Sequence, residues 1–185
     1  MLEEFWKVLR ELRNFWSWIV ASAGLPFLAK LVEISPPWPP AIPVLTSIVT
    51  LLALILVYHF LRSANKRAIS RVLGIGVGSL FLCSLIYLAL LSQFTFVPPG
   101  TEVTLVKGFI CSPFAATTYP NECPELSERA LKEAEWDPAQ LWTFYSITIV
   151  RLAIAAFWLG SFLLLSVVLA SFIVYYIRRP APRRA

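Results

Sequence analysis

This sequence contains little of what metal and redox sites are made from. Its 185 residues include one histidine, His59, and three cysteines, of which no two are separated by only two residues. A metal centre or a redox site of the C-x-x-C kind is therefore not expected. The long apolar runs contain no acidic residue, so an intramembrane proton relay is not expected either. We predict no catalytic residue, no metal ligand and no cofactor.

Motifs for binding nucleotides or nucleic acids are also missing. Gly74 and Gly76 begin the spacing of a dinucleotide fingerprint, but Ser79 stands where its third glycine is required. The net charge of +5 is unevenly distributed, because residues 93–142 hold seven acidic and only three basic residues. Segregation of this kind is typical of membrane topology and does not indicate a nucleic-acid partner.

The sequence does contain long apolar runs. Hydrophobic residues make up 58% of the chain, and residues 44–61 and 72–92 form runs of 18 and 21 residues without a formally charged side chain. A helix of either length spans about 30 Å of hydrocarbon at about 1.5 Å per residue. We predict transmembrane helices 2 and 3 in these two runs.

A short basic turn, residues 62–71, joins the two runs. Its bases are Arg62, Lys66, Arg67 and Arg71, and it contains no acidic residue. Because short basic loops remain on the cytoplasmic side, we predict that this turn is cytoplasmic. The tail at 178–185, which begins with Arg178 and Arg179, then lies on the same side, and the acidic segment 93–142 lies outside.

The first segment has two interpretations. Residues 1–13 predict an amphipathic cytoplasmic start, and residues 14–32 contain no charged residue except Lys30. Residues 14–32 either cross as transmembrane helix 1 or lie along the interface. A crossing is favoured because it keeps the first bases in the cytoplasm. Residues 33–43 contain five prolines, which predicts an extended outer connector.

The last long helix is predicted to begin at a proline-containing cap. Asp137 is followed by Pro138, a combination typical of an N-cap and first helical position, and nothing interrupts the helix before the tail. Residues 143–177 are its transmembrane part, helix 4. Arg151, the only charged residue in that run, lies about 40 Å from Arg178 along a helix, near the outer headgroups. We predict an interfacial anchor or the partner of an outer acid, in preference to a pore or substrate role.

Residues 93–142 predict a small outer subdomain. Residues 101–110 alternate enough to suggest a short strand. Cys111 and Cys123, placed in an oxidising compartment, predict a structural disulfide, with a reactive redox pair as the alternative. A short helix is predicted after Pro124. Its buried stripe would comprise Leu126, Ala130, Leu131 and Ala134.

The third apolar run carries a row of small residues at intervals of four. We call Ser70, Gly74 and Gly78 the small face. Such a face lets another helix backbone approach closely, which favours helix association in lipid. Gly76 is predicted to lie on a different face. The partner is either a helix of the same chain or a neighbouring protomer.

These features predict an all-α integral membrane protein. Its fold is a four-helix transmembrane bundle, or three crossings plus an amphipathic N-terminal helix, with a small disulfide-stapled extracytoplasmic subdomain. We expect it in a plasma membrane, the inner membrane of a bacterium, with both termini in the cytoplasm.

The favoured function is that of a non-catalytic multi-pass protein that assembles with itself or anchors a larger membrane complex, with the lipid bilayer as its other partner. A self-assembling pore or transport component, such as a toxic or defence effector, is the second possibility. Its best lumen-lining candidates are Thr46, Ser47 and Thr50. The layout also resembles membrane thiol oxidases that pass electrons to quinone, which implies a thiol–disulfide oxidoreductase. Those enzymes carry a closely spaced cysteine pair that this sequence lacks.

Overall fold

The computed structural model describes residues 24–32, 34–61 and 63–177. Three helices are long and apolar enough to cross a membrane. They are α1 (Ile42–Leu61), α2 (Lys66–Phe94) and α6 (Phe144–Ile177). The shorter elements between α2 and α6 are β1 (Thr95–Phe96), β2 (Leu105–Val106), α3 (Pro113–Thr118), α4 (Glu128–Glu133) and α5 (Pro138–Leu141). The mainly helical class, the apolar helices and the disulfide of the prediction are confirmed, whereas the four-helix count and the extracytoplasmic placement stay predictions.

Several predicted features lie outside the described residues. They are the start at 1–13, residues 14–23 of the first apolar segment, Arg62, and the tail that contains Arg178 and Arg179. Residues 24–31 are described and are helical. The fourth crossing therefore stays a prediction.

The α1 helix begins two residues before the predicted run at 44–61. Pro43 is its second residue, a position where the missing N–H has no intrahelical partner to lose. After Pro43 no glycine or proline interrupts the sequence up to Leu61. An uninterrupted helix also satisfies every internal backbone group, which the hydrocarbon core requires.

The α2 helix begins earlier than predicted, so the basic turn is shorter than 62–71. The backbone N–H of Ile69 donates to the Asn65 carbonyl over 3.0 Å, which closes the first turn. The described bases of the turn are exposed on the first two helical turns: Lys66, Arg67 and Arg71. Positive charge at a helix N-terminus opposes the helix dipole, so helix stability does not account for these residues.

The chain divides into two compact units. The described part of unit 1 includes Ala41–Cys83 and the chain from Leu159 onward, and unit 2 comprises Pro36–Pro40 and Ser84–Trp158. Both α2 and α6 contribute to each unit. Unit 2 also holds the short strands and helices, residues 95–143, which we call the disulfide subdomain.

In unit 1, α1 and α6 pack side by side in the same direction. The Ser166 hydroxyl donates to the carbonyl oxygen of Thr50 over 3.2 Å. One turn further along both helices, Leu54 packs against Ala170, and both are fully buried. Since both contacts advance together by four residues, the two helices are parallel.

The α2 helix packs against α6 in the opposite direction. A Cβ built on Gly76 would lie 3.2 Å from Cγ2 of Val168, and one built on Gly160 would lie 3.3 Å from Sγ of Cys83. As the position rises along α2 it falls along α6, so the helices are antiparallel. The alternation of α1, α2 and α6 is the one that three successive crossings require.

The disulfide subdomain contains a two-stranded antiparallel sheet. Thr95 of β1 lies opposite Val106 of β2, and Phe96 lies opposite Leu105. The strand predicted over 101–110 is therefore much shorter, and β1 was not predicted. The loop between the strands contains Gly100, whose φ of 81° is a conformation that favours glycine.

The helix predicted to run without a break from Asp137 is interrupted, so that prediction is wrong. Asp137 does cap α5, accepting a hydrogen bond from the backbone N–H of Ala139 over 2.9 Å. Trp142 then becomes extended and forms a β-bridge with Cys111. The backbone N–H of Thr143 donates to the Ile110 carbonyl over 3.0 Å, and α6 begins at the next residue. Pairing with a distant segment ends the helix.

Serine residues cap the other two short helices. The Ser112 hydroxyl accepts from the backbone N–H three residues on, and α3, which was not predicted, follows directly. Ser127 caps α4 in the same way. The predicted helix thus begins four residues after Pro124. Its expected stripe is buried: Leu126, Ala130, Leu131 and Ala134.

Candidate functional site

The small face on α2 is open. Ser70, Gly74 and Gly78 are exposed, and a Cβ built on either glycine would meet no atom within 4 Å. Among the residues that the structure describes, no helix packs against this face. The interpretation as an intramolecular contact is therefore not supported there.

The intramolecular role belongs to Gly76, which the spacing argument set aside. A Cβ at Gly76 would lie 3.2 Å from Cγ2 of Val168, closer than most Cβ contacts, so a large side chain here would have to displace Val168. The periodicity of four in the sequence identified a face, but it contained no information about which face α6 occupies.

Sequence reasoning also missed the contact between α1 and α6. Thr46, Thr50 and Leu54 are fully buried at intervals of four along α1. Across from them Ser166, Ala170 and Val174 repeat the same interval on α6, and all three are buried. Small or weakly polar residues at this interval are typical of close helix packing in membranes, so the signal was present in the sequence.

The predicted disulfide is present. Cys111 and Cys123 are bonded, with a Cα–Cα distance of 6.2 Å. Both are half-buried and pack against the subdomain core. The bond ties the segment that bridges to Trp142 to the segment that leads into α4. It therefore joins two parts of one small core.

Trp142 lies at the centre of that core. Only 1% of it is exposed, and its indole Nε1–H donates to the Pro124 carbonyl over 3.2 Å. The other buried members of the core are Ala115, Leu126, Ala130, Leu131, Ala134, Leu141 and Ile147. Gly108 passes so close that a Cβ on it would lie 2.6 Å from Cβ of Trp142. Only glycine fits at this position.

A polar cluster lies on the surface of the same subdomain. The Tyr119 hydroxyl donates to Glu133 over 2.6 Å, and Nε of Arg129 donates to the same carboxylate over 2.9 Å. The hydrogen bond from Tyr119, followed by that from Arg129, lowers the pKa of Glu133. The Ser127 hydroxyl lowers the pKa of Glu122 in the same way.

These shifts do not prepare a proton-transfer group. A carboxylate whose pKa is lowered stays ionised at neutral pH, whereas a general acid needs its pKa raised towards neutrality. The sign for stability follows from the same direction. The stabilisation that ionised Glu122 and Glu133 give to the folded state is present above their unfolded pKa values and is lost as the pH falls through their folded pKa values.

Arg151 has no acidic partner in the described chain. Its Nε is buried and lacks a hydrogen-bond partner, and the ion pair found in that part of the chain joins Arg129 to Glu133. The predicted partnership with an outer acid is therefore not seen.

His59 is exposed on α1 and contacts the edge of Phe60.

No group of three or more potential metal ligands occurs between residues 24 and 177, as far as these are described. The comparisons with known proteins give no further direction: no family model, no curated protein and no solved structure matches this chain. The function is therefore argued from the small face, the buried helix contacts and the disulfide subdomain.

Proposed function

We propose that this chain is a non-catalytic multi-pass membrane protein that assembles through the small face of α2, either with itself or as the anchor subunit of a larger complex. The observation that carries the proposal is that the glycines of α2 have different surroundings. Gly76 contacts α6 within the chain, whereas a Cβ on Gly74 or Gly78 would meet no atom of the described residues within 4 Å.

An open small face is more useful to a protein partner than to lipid. Acyl chains adapt to any helix surface, so removing side chains from one face gains nothing against lipid. A second helix, by contrast, can bring its backbone close to Gly74 and Gly78 and gain dispersion and Cα–H contacts. The neighbouring residues Ile75, Val77 and Phe81 are large and exposed, so the two glycines lie among bulky side chains on the outer surface of α2.

The pore is a weaker proposal because two of its three candidate lining residues, Thr46 and Thr50, are buried in the contact between α1 and α6. Thr46 and Thr50 are fully buried, and Thr46 donates its hydroxyl to the Ile42 carbonyl. The Ser166 hydroxyl bonds the Thr50 carbonyl. These groups contribute to packing between α1 and α6 and are not available to line water.

The thiol–disulfide oxidoreductase is the third candidate, and the small number of cysteines argues against it. Once Cys111 and Cys123 are bonded, only Cys83 remains in the whole sequence. Cys83 lies in the apolar part of α2 against Gly160. A second pair that could pass electrons onward cannot be formed within one chain.

The glycines of α2 provide the test of assembly. Gly74→Leu or Gly78→Leu should weaken self-association or partner binding by roughly five- to hundredfold, since overpacking costs about 1–3 kcal/mol and about 1.4 kcal/mol is a factor of ten. The fold should be retained because both positions are open. Gly76→Leu should instead lower thermal stability, because it collides with Val168.

Quantitative crosslinking in membranes and native mass spectrometry of the purified protein measure both effects. A homo-oligomer indicates self-assembly, and a stoichiometric co-purifying protein indicates the anchor role. Equal behaviour of the three variants in both assembly and stability would contradict the proposal, and ion flux in liposomes with discrete rings would favour the pore.

The proposed orientation places the disulfide subdomain outside the plasma membrane of a bacterium and the ends of the chain in the cytoplasm. It is supported by the exposed bases Lys66, Arg67 and Arg71 at one end of α2 and by the acidic balance of residues 93–142. In a background with Cys83→Ala and the disulfide intact, a membrane-impermeant thiol reagent should label a cysteine at position 118 but not one at position 65. Labelling of position 65 from outside would reverse the orientation.

A further inference from the structure

Arg151 is the only charged residue of α6, one of the three helices long and apolar enough to cross a membrane. Its Nε is buried without a partner, and no carboxylate of the described chain lies in ion-pair distance of it. The terminal Nη atoms are not among the buried unpaired atoms, and it is these that a ligand would contact. A guanidinium at the headgroup level stays charged and favours an anionic partner there.

A collar of exposed apolar side chains lies just before Arg151 on the same unit. We define the collar as Phe109, Ile110, Phe144 and Tyr145, which are 40%, 45%, 79% and 69% exposed. Two hydrogen bonds to the Ile110 carbonyl hold its two halves together, one from the Thr143 backbone N–H at 3.0 Å and one from the Ser146 hydroxyl at 3.3 Å. The collar is thus a defined surface at the start of α6.

The collar and Arg151 match the chemistry of a membrane interface. Aromatic side chains are enriched at the headgroup level, and α6 continues from the collar as an apolar helix. Arg151 follows Phe144 of the collar by seven residues, about two turns and about 10 Å along a helix, so the two residues share a helix face. Side chains on a helix tilt towards its N-terminus, so a long arginine reaches back towards the collar.

We propose that the collar inserts at the headgroup–acyl boundary of one leaflet and that Arg151 binds the phosphate of a phospholipid there. A guanidinium and a phosphate form strong charge-assisted hydrogen bonds, which are stronger where water is scarce. The apolar collar supplies the contact with the upper acyl chains. The site is therefore one for a lipid and not for a soluble anion.

Native mass spectrometry of the full chain, titrated in detergent with phosphatidylcholine, tests this site. A galactolipid with the same acyl chains, which has no phosphate, is the matched probe. The wild type should bind phosphatidylcholine about tenfold more tightly than the galactolipid, and Arg151→Gln should lose about tenfold of phosphatidylcholine affinity. Arg151→Lys, which keeps the charge with fewer donors, should lose less. Arg129→Gln, an exposed arginine of the disulfide subdomain, should change neither affinity.

Three outcomes would overturn the proposal. Equal binding of the two lipids by the wild type would show that phosphate is not recognised. Equal loss in Arg151→Gln and Arg129→Gln would remove the assignment to Arg151. Displacement of the lipid by millimolar inorganic phosphate would identify a site for a soluble anion instead. If Arg151→Gln fails to fold, two measurements still test the proposal: the comparison of phosphatidylcholine with the galactolipid in the wild type, and the phosphatidylcholine affinity of Arg151→Lys. An unchanged affinity in Arg151→Lys would count against a guanidinium site.

Discussion

Replacing Trp142 by alanine is expected to lower the free energy of unfolding of the disulfide subdomain by about 3–5 kcal/mol, the usual cost of truncating a large buried aromatic side chain. Trp142 is almost completely buried, at 1% exposure, in the middle of the core. The change also removes the Nε1–H donor and leaves the Pro124 carbonyl without that partner. The narrow space next to Gly108 shows that the backbone is built around this side chain.

Hydrogen exchange read by mass spectrometry measures this loss, because it reports local opening of the subdomain separately from the membrane helices. Amides of residues 105–143 should lose protection in Trp142→Ala, while those of α1 should not. Phe114→Ala is the matched control, since Phe114 lies in α3 of the same subdomain but is 54% exposed. If the two substitutions cost the same, Trp142 is not the centre of the core.

Features of the fold were predictable from sequence wherever one strong physical requirement acts alone. The spans of α1, α2 and α6 follow from the length of apolar chain that a bilayer demands, and charge marks their approximate ends. The disulfide followed from the placement of Cys111 and Cys123 on the predicted outer side. The cap at Asp137 followed from a local hydrogen bond that needs only neighbouring residues.

Features that depend on contacts between distant residues were not predictable. The interruption at Trp142 results from its bridge to Cys111, thirty-one positions earlier in the sequence, and local helix signals cannot contain that pairing. The strand β1 is two residues long and exists only because β2 returns to it. In α3, however, Ser112 followed by Pro113 is the same kind of signal as Asp137 followed by Pro138, so this helix could have been predicted.

The candidate site divides in the same way. Spacing predicts that α2 carries a face suited to close packing, because small residues at intervals of four produce such a face in any helix, and that role stays a prediction. It could not show that Gly76 is the residue that meets α6, since this depends on the rotation of α2 about its axis. Likewise, Thr46 and Thr50 were predicted as candidate lining residues of a pore because they are polar. Their burial depends on which helix packs beside α1, and that helix is α6.

Replacing both Cys111 and Cys123 by serine is expected to lower the free energy of unfolding of the disulfide subdomain by about 3 kcal/mol. The bond closes a loop with a sequence separation of 12, and in the entropy model a loop of about this size restricts the unfolded chain by that amount. The subdomain is too small to compensate, because its core rests on one tryptophan and a few aliphatic side chains. The helices α1 and α6 should keep their contact in unit 1.

The same hydrogen-exchange measurement on residues 105–143 tests this prediction, with Cys83→Ala as the control for loss of a cysteine outside the bond.

A second measurement separates a structural bond from a redox-active one. A structural disulfide should have a potential below about −300 mV and stay oxidised against a glutathione buffer, whereas an exchange-active one equilibrates near about −180 mV. The structural role follows from placement: both cysteines pack against the core that contains Trp142, so reducing the bond would expose that core. A potential near about −180 mV, combined with loss of thiol oxidation in a serine variant that remains folded, would contradict the structural role. The thiol–disulfide oxidoreductase would then be the better proposal.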